Sequence, residues 1–142
     1  METWVVDASV ILKWLLADPE TEPGTPQAIT LMAAIAAGEH AIVQPVHWLA
    51  EVSAVLARLS PNTAADDVLQ LRAMEWPVSD DAQVWTRAVR LAIDTRLHVF
   101  DTLYHAVALE HPTATLVTAD ERYRLRSKQR GRIIALEAWE AA

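Results

Sequence analysis

Trp4-Val-Val-Asp7-Ala-Ser9 reads as a short buried strand running into a turn. Consecutive apolar residues without polar alternation are what a strand covered on both faces requires. Beyond the turn, Ile11, Leu15 and Leu16 are among the apolar positions of a helix from Val10 to Ala17. The same grammar returns late in the chain, where Thr115-Leu-Val-Thr is a strand and a basic helix runs from Asp120. Short apolar strands alternating with helices predict an α/β fold on a parallel sheet.

The remaining segments fill that frame. Residues 18–26, with three prolines and a glycine in nine positions, form the clearest loop. A helix from Gln27 to Ala37 stops at Gly38, a C-cap residue. Ala41-Ile-Val-Gln is a second strand, and Pro45 then starts a long helix through Leu59. Ser60-Pro-Asn-Thr is a break with N-cap chemistry before a helix from Ala64 to Met74. Trp76-Pro-Val-Ser is extended, and Ser79 or Asp80 caps a helix to Thr95. His98-Val-Phe is an extended link into a helix from Asp101 to Glu110, and Arg132-Ile-Ile-Ala-Leu is a final strand. No repeat, low-complexity tract or linker divides residues 1–142, so one domain is expected.

Composition narrows the class. Apolar residues make up 52% of the chain, enough for a real core. The absence of cysteine excludes disulfides, thiolate chemistry and Cys-based zinc sites, and fits a reducing cytosol. Met1-Glu-Thr begins acidic, and Asp7 and Lys13 break the apolar run that follows, so no signal peptide is expected. No stretch approaches the roughly 20 apolar residues that cross a bilayer. The expectation is a soluble, cytoplasmic protein without a membrane role.

A formal charge of −7 argues against a simple nucleic-acid-binding module. The charge is uneven, however. Residues 1–121 hold 6 basic and 17 acidic side chains, a net of −11, whereas residues 122–142 hold 6 basic and 2 acidic, a net of +4. Arg122, Arg124, Arg126, Lys128, Arg130 and Arg132 make a cluster that reads either as a phosphate-contacting patch or as a solvated C-terminal helix.

In open α/β sheets, ligands bind beyond the carboxyl ends of the strands. Asp7 and Asp120 fall at such ends, and Asp101, after Val99-Phe100 and opening a helix, can share that rim. Each is also a favoured helix N-cap. Glu51 lies at the border of the apolar helix face made by Trp48, Val52, Val55, Leu56 and Leu59, and also reads as a surface glutamate on the Arg58 side. Converging acids raise one another's pKa values unless a cation neutralises them. A hard-oxygen set without cysteine suits magnesium or manganese over zinc, and such an ion can polarise a phosphodiester and activate water.

The sequence also carries four motifs in order. Val5-Val6-Asp7-Ala8-Ser9 resembles the opening strand motif of PIN-domain nucleases. Pro45-Val-His-Trp-Leu-Ala-Glu51-Val-Ser-Ala-Val-Leu56 resembles their second acidic motif, Asp101-Thr-Leu-Tyr104-His-Ala106-Val-Ala108-Leu the third, and Leu116-Val-Thr118-Ala-Asp120-Glu-Arg-Tyr123 the fourth. Order, spacing and length are similar to those of small bacterial VapC-type toxins. That resemblance implies a three-layer α/β/α sandwich on a mainly parallel sheet of about four to five short strands. It implies an endoribonuclease acting on single-stranded RNA or RNA loops, with Mg2+ or Mn2+ held by Asp7, Glu51, Asp101 and Asp120 and with Ser9 and Thr118 in support. It further implies a homodimer and a VapB-type antitoxin whose C-terminal segment covers the groove. Arg122, Arg124 and Arg126 are the candidate RNA contacts.

Thr102 and His105 stand where the third motif more often has small or apolar residues, and His105 reads as a packing or surface histidine. Trp4, Trp14, Trp48, Trp76, Trp85 and Trp139 read as core or interface anchors, with Trp14, Leu15 and Leu16 candidates for an antitoxin or dimer surface. Two other phosphotransfer classes fit less well. A receiver needs a lysine after a late strand, but Lys128 sits in the basic helix; a dehalogenase-like hydrolase wants an aspartate where Ser9 stands. The alternative from another class is a PIN-like module that only binds RNA or protein.

Overall fold

The computed structural model describes residues 1–16 and 23–140. Among the described residues, six strands and seven α-helices follow the pattern read above. The strands are Thr3–Val6 (β1), Ala41–Ile42 (β2), Gln44–Pro45 (β3), Val78–Ser79 (β4), Thr115–Thr118 (β5) and Ile133–Ala135 (β6). The helices are Ala8–Leu16 (α1), Thr25–Ala36 (α2), Trp48–Leu59 (α3), Ala64–Ala73 (α4), Ala82–Thr95 (α5), Val99–Glu110 (α6) and Glu121–Ser127 (α7). The central sheet runs β2-β1-β5-β6 with every pair parallel, and helices pack against it, the α/β layering expected from the sequence.

Register sets the rim of this sheet. Val6 pairs with Val117, and Thr118 with Ala135, so β1 and β5 end at the same level. The Asp7 N–H extends the ladder by one step, donating to the Val117 carbonyl at 3.0 Å. Trp4, Val5, Val6, Leu116 and Val117 are buried, which is why neither strand alternates apolar with polar. On α6, burial of every residue from Thr102 to Ala108 leaves polar side chains to be satisfied inside. His105 is one of these. Its Nε2 donates to the Gly131 carbonyl at 2.7 Å and its Nδ1 accepts from the Tyr123 hydroxyl at 3.0 Å. Burial holds its pKa below the ordinary histidine value, so it is a neutral packing residue, as expected.

The predicted strand over residues 41–44 divides into two pieces belonging to different sheets. Ala41 and Ile42 pair with β1, whereas the Gln44 N–H turns to the Pro77 carbonyl and β3 pairs with β4. Pro45 therefore ends a strand instead of opening the helix, which begins at Trp48. The departure deprives Val6 of a backbone neighbour on that side. The Gln44 side chain replaces it: Oε1 accepts from the Val6 N–H at 2.8 Å and Nε2 donates to the Val6 carbonyl at 2.8 Å. A primary amide presents one donor and one acceptor side by side, as the lost peptide would have done.

Other boundaries move for local reasons. Helix α2 starts at Thr25, because Pro26 is tolerated in the first turn, where its missing N–H leaves nothing unpaired. Gly38 (φ 76°) ends it, with the Gly38 N–H on the Ile35 carbonyl and the Glu39 N–H on that of Ala34. Ser79 is in β4 and Asp81 takes the cap position of α5. The link at residues 98–100 is already helical from Val99, since the His98 side chain caps α6. The first half of the predicted 18–26 loop and Ala17 lie outside the described residues.

Replacing Gln44 with leucine preserves bulk but leaves two buried backbone groups of Val6 without partners. At about 1–3 kcal/mol per stranded group, Gln44→Leu is expected to lower the unfolding free energy by about 2–6 kcal/mol. Urea denaturation measures it, and a loss well under about 1 kcal/mol would mean that the amide is not what holds the end of β1.

Candidate active site

The end of β1 turns directly into α1. The Asp7 carbonyl accepts from the Val10 N–H at 3.0 Å, and its carboxylate Oδ2 accepts from the Ser9 N–H at 3.1 Å and the Ser9 hydroxyl at 2.5 Å. Asp7 thus serves the turn into α1, as the cap reading expected, while its carboxylate stays at the end of the strand. Asp120 repeats the arrangement beyond β5. Its N–H donates to Thr118 Oγ1 at 3.0 Å, and its Oδ1 caps α7 by accepting from the Tyr123 N–H at 3.0 Å. Ser9 joins the two turns, because its Oγ also accepts from the Ala119 N–H at 3.0 Å and stands 3.5 Å from Thr118 Oγ1. Ser9 and Thr118 are therefore positioning groups between Asp7 and Asp120.

Glu51 and Asp101 arrive from the side, each in the first turn of its helix, α3 and α6. All four carboxylates therefore sit at or beside helix N-termini, where the partial positive charge of free N–H groups favours anions. Their mutual repulsion is felt in the proton affinities. Burial pushes Asp7 up to about 6 against the hydrogen bonds from Ser9, and the Glu51 and Asp101 charges add to the rise. Burial also raises Asp101, with further pressure from Glu51 and Asp120 that His98 and His47 oppose. The Tyr104 hydroxyl, buried beside Glu51, Asp7 and Asp101, is driven upward and stays a neutral phenol.

Three residues at this rim escaped the sequence reading. His47, one helical turn before Glu51, places Nε2 3.2 Å from Glu51 Oε2. That proton is directed instead to the Phe100 carbonyl at 2.7 Å, so no hydrogen bond to the glutamate forms. Glu51 Oε2 is consequently buried with no hydrogen-bond partner among the described residues. His98 and Arg96 were also missed. Together with Arg122, Asp101, Asp120 and Tyr123 they line a cavity of about 430 Å³. The signal for the two histidines was spacing, since His47 precedes Glu51 by four residues and His98 precedes Asp101 by three.

The basic residues do not form one patch. Arg122 faces the acidic cavity, while Arg124 pairs with Glu121 and lines a different cavity of about 730 Å³ bounded by Lys13, Thr118 and Leu136. Arg126 is exposed on α7. Arg130 lies 3.7 Å from Asp94 across to α5. Arg132 is structural, donating to the carbonyls of His111 at 2.7 Å, Pro112 at 3.0 Å and Ala114 at 3.2 Å.

The donor set fits a hard divalent cation. It includes two carboxylates with raised proton affinity, Asp7 and Asp101, the buried Glu51 oxygen without a partner, and hydroxyls close by. As the side chains stand, no three His, Asp or Glu among the described residues are close enough to chelate an ion together.

A family model described as the PIN domain matches residues 4–129. No curated protein sequence matches the chain. Its fold is similar to that of a chain in the crystal structure of VapBC2 from Rickettsia felis bound to a DNA fragment from their promoter, with a TM-score of 0.64 and 15% identity over 95% of this chain and 97% of that one.

Because the folded-state pKa of Asp7 lies above the ordinary 3.8, its share of stability is complete below about 3.8 and is lost as pH rises through about 6. Asp7→Asn cannot ionise. Relative to the unmodified chain it is expected to gain up to about 3 kcal/mol by neutral pH, less whatever the altered Ser9 bonds cost. Denaturation curves from about pH 4 to 8 test this, and parallel pH profiles for the two proteins would show that the carboxylate is not desolvated.

Proposed function

The chain belongs to the PIN-domain family, and from that premise we propose that it is a metal-dependent endoribonuclease. It hydrolyses phosphodiester bonds in single-stranded RNA or RNA loops and serves as the toxin of a toxin–antitoxin pair. The observation that carries this reading is the convergence of Asp7, Glu51, Asp101 and Asp120 at one rim of a parallel sheet, with the buried Glu51 Oε2 unsatisfied. A protein that only bound RNA would have no use for carboxylates that repel both one another and the ligand.

In this reading the four acids hold Mg2+ or Mn2+, which supplies charge neutralisation, polarisation of the phosphodiester and activation of water. The chain's own groups do the rest. Ser9 fixes the Asp7 carboxylate, and Thr118 fixes the turn that presents Asp120. Tyr104 and His47 close the inner side of Glu51 against water. Arg122 contacts substrate phosphate from the cavity wall, with exposed Arg126 one turn further along α7, whereas Arg124 is engaged by Glu121 beside the other cavity.

The partners follow from surfaces outside the rim. Trp14 lines an apolar cavity of about 450 Å³ with Met32, Ile35, Ile42, Met74 and Trp76, suited to an apolar anchor from a VapB-type antitoxin. Trp85, Val89 and Ile93 leave an exposed apolar stripe along α5, which suits a homodimer. Residues 1–142 act as one domain in the cytoplasm. Among the described residues, no helix is long and apolar enough to cross a membrane.

Purified chain incubated with labelled single-stranded RNA and Mg2+ or Mn2+ is expected to cleave it. EDTA should abolish cleavage, and Asp7→Asn should lower kcat by at least about 100-fold. Millimolar metal is expected to raise the melting temperature of the unmodified chain but not of Asp7→Asn. Absence of both cleavage and metal stabilisation would sink the nuclease reading and leave an RNA- or protein-binding module.

A further inference from the structure

Phe100 is the only phenylalanine in the chain, and 56% of it is exposed although it adjoins Asp101. The core does not need it, because α6 turns Leu103, Tyr104, Ala106 and Val107 inward. It is nevertheless held in place. Its N–H donates to His98 Nδ1 at 3.1 Å, and its carbonyl accepts from His47 Nε2 at 2.7 Å. The ring lies between two imidazoles, with centroids 4.6 Å from His98 and 5.5 Å from His47. His47 is backed in turn by the buried Tyr104 ring at 5.0 Å. An exposed aromatic ring with its backbone pinned at both ends, supported from below and placed at the lip of an acidic centre, is built to receive another flat ring.

Its surroundings indicate which kind. His47, one of the imidazoles against the ring, also reaches to 3.2 Å of Glu51, and Asp101 is the next residue in the chain after Phe100. On the other side His98 borders the cavity that also holds Arg96, Arg122, Asp101 and Asp120. A group that places a phosphate between these arginines and the acids, and an aromatic ring about one residue away, is a nucleotide within a single strand. We infer that Phe100, braced by His47 and His98, is a stacking platform for a base next to the scissile phosphate. This subsite rests on the RNA reading above and makes no demand on base identity, because every base offers a π-face.

Binding without cleavage tests it, using a short fluorescein-labelled single-stranded RNA of mixed sequence in EDTA at low salt. Phe100→Leu keeps an apolar side chain but removes the ring, and is expected to weaken binding about 10-fold, the loss of one base–aromatic stack. Phe100→Trp should restore it. The same strand made with abasic ribose throughout should bind the unmodified chain and Phe100→Leu equally. Melting curves of both variants establish that they are folded, as the exposure of the site implies. Equal RNA binding by Phe100→Leu and the unmodified chain, a difference that persists on the abasic strand, or no binding of RNA by any of them each overturns the platform. Cleavage of the same strand in Mg2+ is read separately. The stacking signature without cleavage would fault the nuclease reading and keep the platform, and cleavage without the signature would do the reverse.

Discussion

Keeping a carboxylate out of water at the end of the central strand is the constraint around which the rest of this structure is arranged. An ionised side chain buried without partners is costly, and Asp7 is buried at the point where β1 ends. The chain offsets that cost locally, with two donors from Ser9 and the start of α1, and it tolerates the remainder as a raised proton affinity. Neither device works unless the Asp7 backbone is immobile. It is held on one side by the bond to the Val117 carbonyl and, one residue earlier, on the other side by the Gln44 amide. The same Ser9 hydroxyl that donates to Asp7 accepts from Ala119, so the two acidic turns cannot shift independently.

The Gln44 substitution for backbone explains a feature of the topology that would otherwise look like a defect. If the segment after Ile42 had stayed beside β1, α3 could not start where it does, and Glu51 would not reach the rim. Leaving early lets β3 pair with β4 and brings His47 against Phe100 and Tyr104. The side-chain amide heals the gap at Val6. One glutamine therefore connects the sheet's order to the placement of the acid that lies farthest from Asp7 in kind, on a helix that does not follow either central strand.

Much of this was legible beforehand, and the parts that were not share a cause. β1, β5 and α4 agree with the reading because local periodicity, burial and turn chemistry point the same way there. Asp7, Glu51, Asp101 and Asp120 were named from strand ends, a helix-face border and four ordered motifs, and the structure brings all four to one rim. The failures occur where a side chain takes over a backbone role. Gln44 mimics a strand partner, His98 caps a helix that seemed to begin at Asp101, and Arg132 binds three carbonyls that a loop left open. No windowed pattern carries such information, since the partner lies far away in sequence. The basic run misled for a related reason. Charge density along a chain says nothing about direction, and Arg122, Arg124, Arg130 and Arg132 point to four different places.

Those scattered arginines bear on how an acidic protein could engage a polyanion at all. With a net charge of −7, the long-range field repels RNA, so association cannot depend on the broad electrostatic attraction that serves basic domains. Attraction has to be short-ranged instead. A divalent cation among the acids would reverse the local sign where repulsion is greatest. Arg96 and Arg122, which line one cavity with Asp101 and Asp120, would act there at short range. An exposed ring such as Phe100 adds attraction that does not depend on charge and that salt does not weaken. A strand held in this way is selected for being single and flexible enough to place one phosphate and one base together, which a regular duplex with its bases stacked inside cannot do. For such a ligand an acidic surface would work as a filter, discouraging weak contacts along a strand over residues 1–121, where the net charge is −11.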